Sequence, residues 1–253
     1  NAAATIDGRK VSFAEALAEA AGADAVVAMA GTISEEGADR ATFTGVDGKR
    51  LAAPAAQGGG LDWYAPRSNI ISTNGETNPA KNSRTTAMLD ALLAARSTSG
   101  KPMAAKTVLV LKDNAGVSMP AALVGPKGPA ILEAWFPGQE DGNIVADVLF
   151  GRTNPAGKLP VTFPLAGKGF LDRIDASQFP GVSAAGGQQA VTYSERLAIG
   201  YRWYDANAGG TCAVRGGRNP CVAFPFGHGL SYTSFAVGRP RISLDATSGA
   251  WRA

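Results

Sequence analysis

Two adjacent carboxylates, Glu35 and Glu36, stand in the run Gly31-Thr32-Ile33-Ser34-Glu35-Glu36-Gly37-Ala38-Asp39-Arg40. Neighbouring carboxylates raise one another's pKa, which is what a general acid working near neutral pH needs, and Arg40 behind Asp39 is placed to tune or orient them. The same residues also suit a solvated acidic loop with a local Asp39 to Arg40 pairing, so both readings stand at this point. Trp63-Tyr64 offers flat rings that can bury the apolar face of a sugar, or can simply anchor a loop. Cys212 and Cys221 lie nine positions apart among Gly209, Gly210, Gly216 and Gly217. That spacing reads as a loop staple of an oxidising compartment, the alternative being two free thiols in a cytosolic protein. The single His228 sits in Phe224-Pro225-Phe226-Gly227-His228-Gly229-Leu230-Ser231-Tyr232, where Gly, Pro and aromatics favour a packed turn over a catalytic base.

Several chemistries are excluded by what the chain lacks. One His and two Cys can build neither a multi-His metal site nor a four-Cys zinc site, and no metal or cofactor is expected. No G-x-G-x-x-G, G-x-x-x-x-G-K-[ST] or G-x-S-x-G occurs, so dinucleotide, P-loop and nucleophile-elbow readings have no anchor. With 24 Lys+Arg against 21 Asp+Glu, the net charge of +3 is too small and too dispersed to track phosphates, and nucleic acid is not an expected partner. The apolar runs at 25–30 and 108–111 fall far short of the roughly 20 residues of a membrane span. At 253 residues and 45% hydrophobic, the composition is that of a packed globular protein.

The elements that must position these residues follow from periodicity. Ser12 with Glu15 forms a capping box ahead of the helical run 13–21, and Gly22 falls where a C-cap glycine belongs. The continuous apolar run 25–30 predicts a strand buried on both faces by helices, with the carboxylate loop leaving its C-terminal end. Helical spacing returns over Thr85 to Arg96 and leads through Gly100 and Pro102 into a strand at 107–111. A further strand is expected at 130–135, then a helix from about Gln139 to Phe150 stopped by Gly151. This alternation predicts an α/β/α sandwich around a mainly parallel sheet, and open parallel sheets bind ligands beyond the carboxyl ends of their strands. The stretch 51–81, rich in Gly, Ala, Pro and Asn, is too long for an ordinary connection, and 163–189 reads as irregular surface wrapping.

Read together, several segments resemble the C-terminal α/β sandwich domain of glycoside hydrolase family 3, the β-glucosidases, β-xylosidases and related exo-acting enzymes. They are Glu36-Gly37-Ala38-Asp39-Arg40; Ala130 to Glu140 (AILEAWFPGQE) with Gly142-Asn143 and Ala146 to Gly151; Asn154 to Pro164 (NPAGKLPVTFP); Gly200 to Asp205 (GYRWYD); and Phe224 to Phe235. They follow in the family's order. The resemblance implies a retaining mechanism divided between domains: a barrel carrying a nucleophilic Asp, and this sandwich lending the general acid/base, which falls on Glu36 with Glu35 its nearest neighbour. Arg40 and Trp63 become candidate substrate-binding residues, and the substrate an oligosaccharide or aryl β-glycoside.

Two departures accompany the likeness. After Arg40 the family's L-P-G-N-Q segment is replaced by Thr42-Phe43-Thr44-Gly45-Val46-Asp47-Gly48, which leads into the long stretch at 51–81. The barrel and the sandwich's own first strand are also missing, so the sheet is expected to be incomplete at its N-terminal edge. On this reading residues 1–235 form the sandwich and 236–253 begin a further β domain or tail. The expected protein is a secreted or periplasmic retaining exo-β-glycosidase of the β-glucosidase type, inactive without its barrel partner. The alternative is a non-catalytic carbohydrate-binding or assembly module with the same fold.

Overall fold

The computed structural model describes residues 3–31, 85–113, 115–166, 168–170, 173, 177–178, 181–206, 210 and 212–252. The chain opens with an antiparallel hairpin, β1 (Ala3–Ile6) and β2 (Arg9–Ser12), in the register Ala3↔Ser12 to Ile6↔Arg9. Asp7 and Gly8 turn it with φ of 47° and 77°. Two successive positive φ values match the right-handed twist of the flanking strands, and an Asp-Gly pair adopts them at little cost. Ser12 ends β2 and caps helix α1 (Phe13–Gly22): the Glu15 N–H donates to Ser12 Oγ (3.2 Å) and the Ser12 N–H donates to Glu15 Oε2 (2.8 Å). The predicted capping box is therefore formed, and the Ser12 N–H, then the Ser12 hydroxyl, both donating to Glu15 Oε2 at 2.8 Å, hold the Glu15 carboxyl below its ordinary pKa. Gly22 is not the left-handed cap expected of it. It is the last helical residue, and Ala23 closes the helix with φ −67° and its N–H on Glu19 O. The orphan carbonyls at this end are met instead by a distant cation, since Lys106 Nζ donates to Ala21 O (2.9 Å) and to Ala23 O.

Among the described residues the central sheet has three parallel strands in chain order: β3 (Val26–Gly31), β4 (Thr107–Lys112) and β5 (Ala130–Glu133). Register runs Val26↔Thr107 to Gly31↔Lys112 and Val108↔Ala130 to Leu111↔Glu133. Burial on both faces belongs to the middle strand, where Leu109, Val110 and Leu111 are all fully buried. In β3 it does not occur: Ala28 is buried, but Val27 and Met29, which alternate onto the other face of the sheet, are about half exposed. Helix α2 (Thr85–Ala94) buries Leu89 and Leu92, and with Met103, Leu109, Leu111, Val117, Met119, Leu123 and Phe163 they form the main core; Leu17, Ala20 and Ala21 of α1 pack against it. Side chains three and four apart on a helix share a face, which is why the spacing Met88-Leu89-Leu92-Leu93 was readable. Helix α3 (Asp141–Leu149) buries Val145 and is stopped at Gly151, whose φ of 73° only glycine adopts without penalty.

A second part of the fold wraps this sheet. Strand β6 (Phe163–Pro164) pairs antiparallel with β9 (Val222–Phe224), and a small hairpin of β7 (Val182–Ser183) and β8 (Gln189–Ala190) lies between them in sequence. Helix α4 (Tyr201–Ala206) places Trp203 and Tyr204 in a satellite core with Cys212, Cys221, Phe170 and Val222. A clasp joins 154–162 to 226–232. Asn154 Oδ1 accepts the Tyr232 N–H at 2.8 Å, Leu159 N–H donates to His228 O at 2.8 Å, and Gly227 N–H donates to Leu159 O at 2.8 Å. Gly229 is required there, because a Cβ would sit 2.2 Å from Gly157 O. Strands β10 (Ser243–Leu244) and β11 (Trp251–Arg252) form a last short hairpin. Among the described residues no helix is long and apolar enough to cross a membrane.

Candidate active site

The carboxyl ends of the three parallel strands bring together Gly31, Lys112, Asp113 and Glu133. Gly31 marks where β3 hands the chain to the carboxylate loop. A Cβ here would lie 2.0 Å from Lys112 O, so the two strands close at this point only because residue 31 has no side chain. Lys112 Nζ is paired with Asp141, which sits in the first turn of α3 where a negative charge also suits the helix dipole.

Beside this ion pair are two acids, one buried and one half-buried, that the sequence did not single out. Asp113 is 1% exposed and is hydrogen-bonded to the half-buried Glu133. Glu133 Oε1 also accepts the Trp135 N–H at 2.9 Å, and Trp135 has a left-handed φ of 52° that places its ring edge-on to Phe163, centroids 5.9 Å apart. Burial, and then the charge of Asp113, push the Glu133 carboxyl up to about 8. A carboxylic acid that stays protonated at neutral pH can donate a hydrogen bond or hold a proton, and two carboxyls in contact titrate as a pair. The signal available in the sequence was charge closing each apolar strand, Lys112-Asp113 after Val110-Leu111 and Glu133 after Ile131-Leu132. Only the parallel register shows that the two charges meet.

Glu36, Arg40 and Trp63, with Glu35 and Tyr64, fall in 32–84 and lie outside the described residues, as does the long stretch 51–81. Glu36 follows Gly31 by five positions. Cys212 and Cys221 are joined by a disulfide, Cα atoms 5.2 Å apart and both residues fully buried in the satellite core. His228 lies in a packed turn, its ring tilted against Phe224 at 5.2 Å and its N–H on Pro225 O.

A parallel α/β sheet whose loop-bearing ends carry acids defines a class of domain that positions chemistry on its loops. Comparison with known proteins gives the family. The profile of the glycosyl hydrolase family 3 C-terminal domain matches residues 2–232, and the chain belongs to that family. Among curated proteins it is similar to beta-glucosidase B of Emericella nidulans, 40% identical over 144 residues that make up 55% of this chain and 15% of that protein. It is likewise similar to a beta-glucosidase of Rhizobium radiobacter, 40% identical over 136 residues, 54% of this chain and 14% of that one. Among solved structures, beta-glucosidase 3B from Thermotoga neapolitana in complex with glucose superposes with a TM-score of 0.58 and 28% identity, over 93% of this chain and 25% of that one. A family 3 beta-glucosidase from Neurospora crassa, at 24% identity and a TM-score of 0.57, shares the fold. The expected α/β sandwich is thus the observed fold. The chain spans roughly one seventh of the curated relatives named here and a quarter of the solved Thermotoga enzyme.

Proposed function

We propose that this domain supplies Glu36 as the general acid/base of a retaining exo-β-glycosidase of the β-glucosidase type, the nucleophilic Asp standing on a barrel domain outside this chain. The observation that carries the reading is the family match over 2–232, with β-glucosidases among the relatives. The sheet supports it. Strand β3 ends at Gly31, and ligands of open parallel sheets bind beyond the carboxyl ends of the strands, where the segment bearing Glu36 begins.

The chemistry follows from the two-carboxylate scheme. In the first step Glu36, protonated, gives its proton to the leaving glycosidic oxygen while the barrel Asp attacks the anomeric carbon. The glycosidic C–O bond breaks and a glycosyl ester forms. In the second step Glu36, now ionised, takes a proton from water, whose oxygen attacks the same carbon and displaces Asp. Net retention requires the two carboxyls about 5 to 5.5 Å apart, so the barrel must close on the Glu36 loop. Arg40 and Trp63 hold the substrate beside it, Arg40 by orienting the loop and Trp63 by stacking on a sugar face. The substrate is an oligosaccharide or aryl β-glycoside. A buried disulfide supports a secreted or periplasmic location.

The test is Glu36→Ala in the longer enzyme, assayed on aryl β-glycosides with good and poor leaving groups. Activity should fall most on poor leaving groups, and azide should restore turnover by attacking the glycosyl-enzyme without base assistance, yielding a β-glycosyl azide. An unchanged rate, or a loss indifferent to leaving group and to azide, overturns the assignment and favours a non-catalytic module.

A further inference from the structure

An open cleft of about 440 Å³ lies between α4, the turn at 116–118 and the strand leading into β6. Its wall is built around an aromatic stack. The Tyr201 and Phe226 rings lie 5.1 Å apart at 28°, each remains about half exposed, and the Arg202 guanidinium stands 5.9 Å from the Tyr201 centroid. Arg202 has no ion pair with any described carboxylate. Ser118, 7% exposed, also lines the cleft, and its hydroxyl makes no hydrogen bond to any described residue. Thr162 Oγ1 accepts the Phe226 N–H at 3.2 Å, which leaves its own proton to donate. The Ser118 hydroxyl is therefore solvated from the open cleft and can exchange that water for a polar group of a guest.

We propose that this cleft is a binding site for a pyranose ring. The combination selects that ligand class: an exposed aromatic face takes the apolar C–H face of a sugar, while the Ser118 and Thr162 hydroxyls and the Arg202 guanidinium take its equatorial hydroxyls. A purely apolar guest would leave Ser118 unbonded. A simple anion would use Arg202 and leave the stack uncovered. The stack is held rigidly, because α4 is anchored through Trp203 and Tyr204 to the buried Cys212–Cys221 disulfide, and the Tyr204 hydroxyl accepts the Phe170 N–H at 3.3 Å. The choice of a sugar rests on the glycosidase reading above, but the lining residues named here are all described and occupancy of the cleft requires no hydrolysis.

The experiment is a ¹H–¹⁵N titration of the 253-residue chain with methyl β-D-glucopyranoside, and with phenol and sodium acetate in parallel. Expected are saturable shifts at the amides of 116–118, 199–202 and 226 with a dissociation constant in the millimolar range. Tyr201→Ala should weaken binding about tenfold and Ser118→Ala about threefold, while Tyr201→Phe, which keeps the stack and the fold, stays within about threefold of the native value. Tyr193→Ala, exposed and outside the cleft, should change nothing. No saturable shift with the glucoside, stronger binding of phenol or acetate at the same amides, or glucoside shifts confined to other residues each overturn the proposal. Because the readout is binding at these amides, its failure leaves the Glu36 kinetics standing, and failure of the azide test leaves this titration standing.

Discussion

Replacing Glu133 by Gln should remove most of the pH dependence of this domain's stability between mildly acid and mildly alkaline conditions. The side chain keeps its size, its amide oxygen still accepts the Trp135 N–H, and its NH₂ can donate to Asp113 as the protonated acid does. In the native fold Glu133 holds its proton up to about pH 8, against an ordinary value of 4.5. The folded state therefore binds one more proton than the unfolded state across that window, and stability is full below the lower value and declines as pH rises toward the upper one. One proton corresponds to about 1.4 kcal/mol per pH unit, or roughly 4 kcal/mol between pH 5 and 8. Since Asp113 and Glu133 titrate as a pair, the slope counts the pair's proton rather than one residue's. Glu15 contributes nothing to this slope, since its lowered pKa acts only in more acid solution. Urea unfolding followed by tryptophan fluorescence at pH 5, 6, 7 and 8 measures the effect. The two proteins should be nearly equal at pH 5, and the Gln variant should be the more stable by several kcal/mol at pH 8. Parallel stability-against-pH lines would refute the account of a shared, buried proton.

Two other perturbations test the frame. Reducing Cys212–Cys221, or replacing both by Ser, should destabilise the α4 region by roughly 2 to 3 kcal/mol for a loop of this length, seen as a lower Tm; alkylation of both thiols in native protein without reductant would show that no bridge exists. Ser12→Ala should cost about 1 kcal/mol in thermal unfolding by removing the acceptor for the Glu15 N–H, and an unchanged Tm would mean the capping box adds nothing.

The parts legible in the sequence were those coded locally. The Ser12–Glu15 box, the i, i+3, i+4 spacing of α2 and the Gly151 stop each involve residues within one or two helical turns, and the nine-residue spacing of Cys212 and Cys221 needs no knowledge of topology. What failed depended on neighbours. The apolar run of β3 looks like that of β4, yet Val27 and Met29 are half exposed where Leu109, Val110 and Leu111 are fully buried, a difference set by what packs on each face and not by the local pattern. Gly22 was composed like a cap, but Lys106, more than eighty positions away, does the capping. The first hairpin was too short to declare a period, though Asp7-Gly8 marked its turn. Asp113 and Glu133 were invisible as a pair because each is an ordinary strand-end charge until the register places Leu111 opposite Glu133. Of the candidate acid/base loop, only its point of departure at Gly31 belongs to the described fold, and the motif around Glu36 was legible through family likeness rather than geometry.

The clasp around Asn154 has a bearing on how lineages of this protein can diverge. By tying residue 154 to 231 and 232, it seals the intervening stretch, with the small β7–β8 hairpin at its middle, into a closed circuit 77 positions long. Closing a circuit already that large grows only logarithmically harder with length, about 0.6 kcal/mol for each doubling. An inserted hairpin, or an entire accessory module, at the exposed Gly186-Gly187 tip would therefore leave the sheet and the Gly31 exit undisturbed. Deletions at 154–159 or 226–232 would unseat both. Variation in length should accumulate inside the circuit and stop at the clasp.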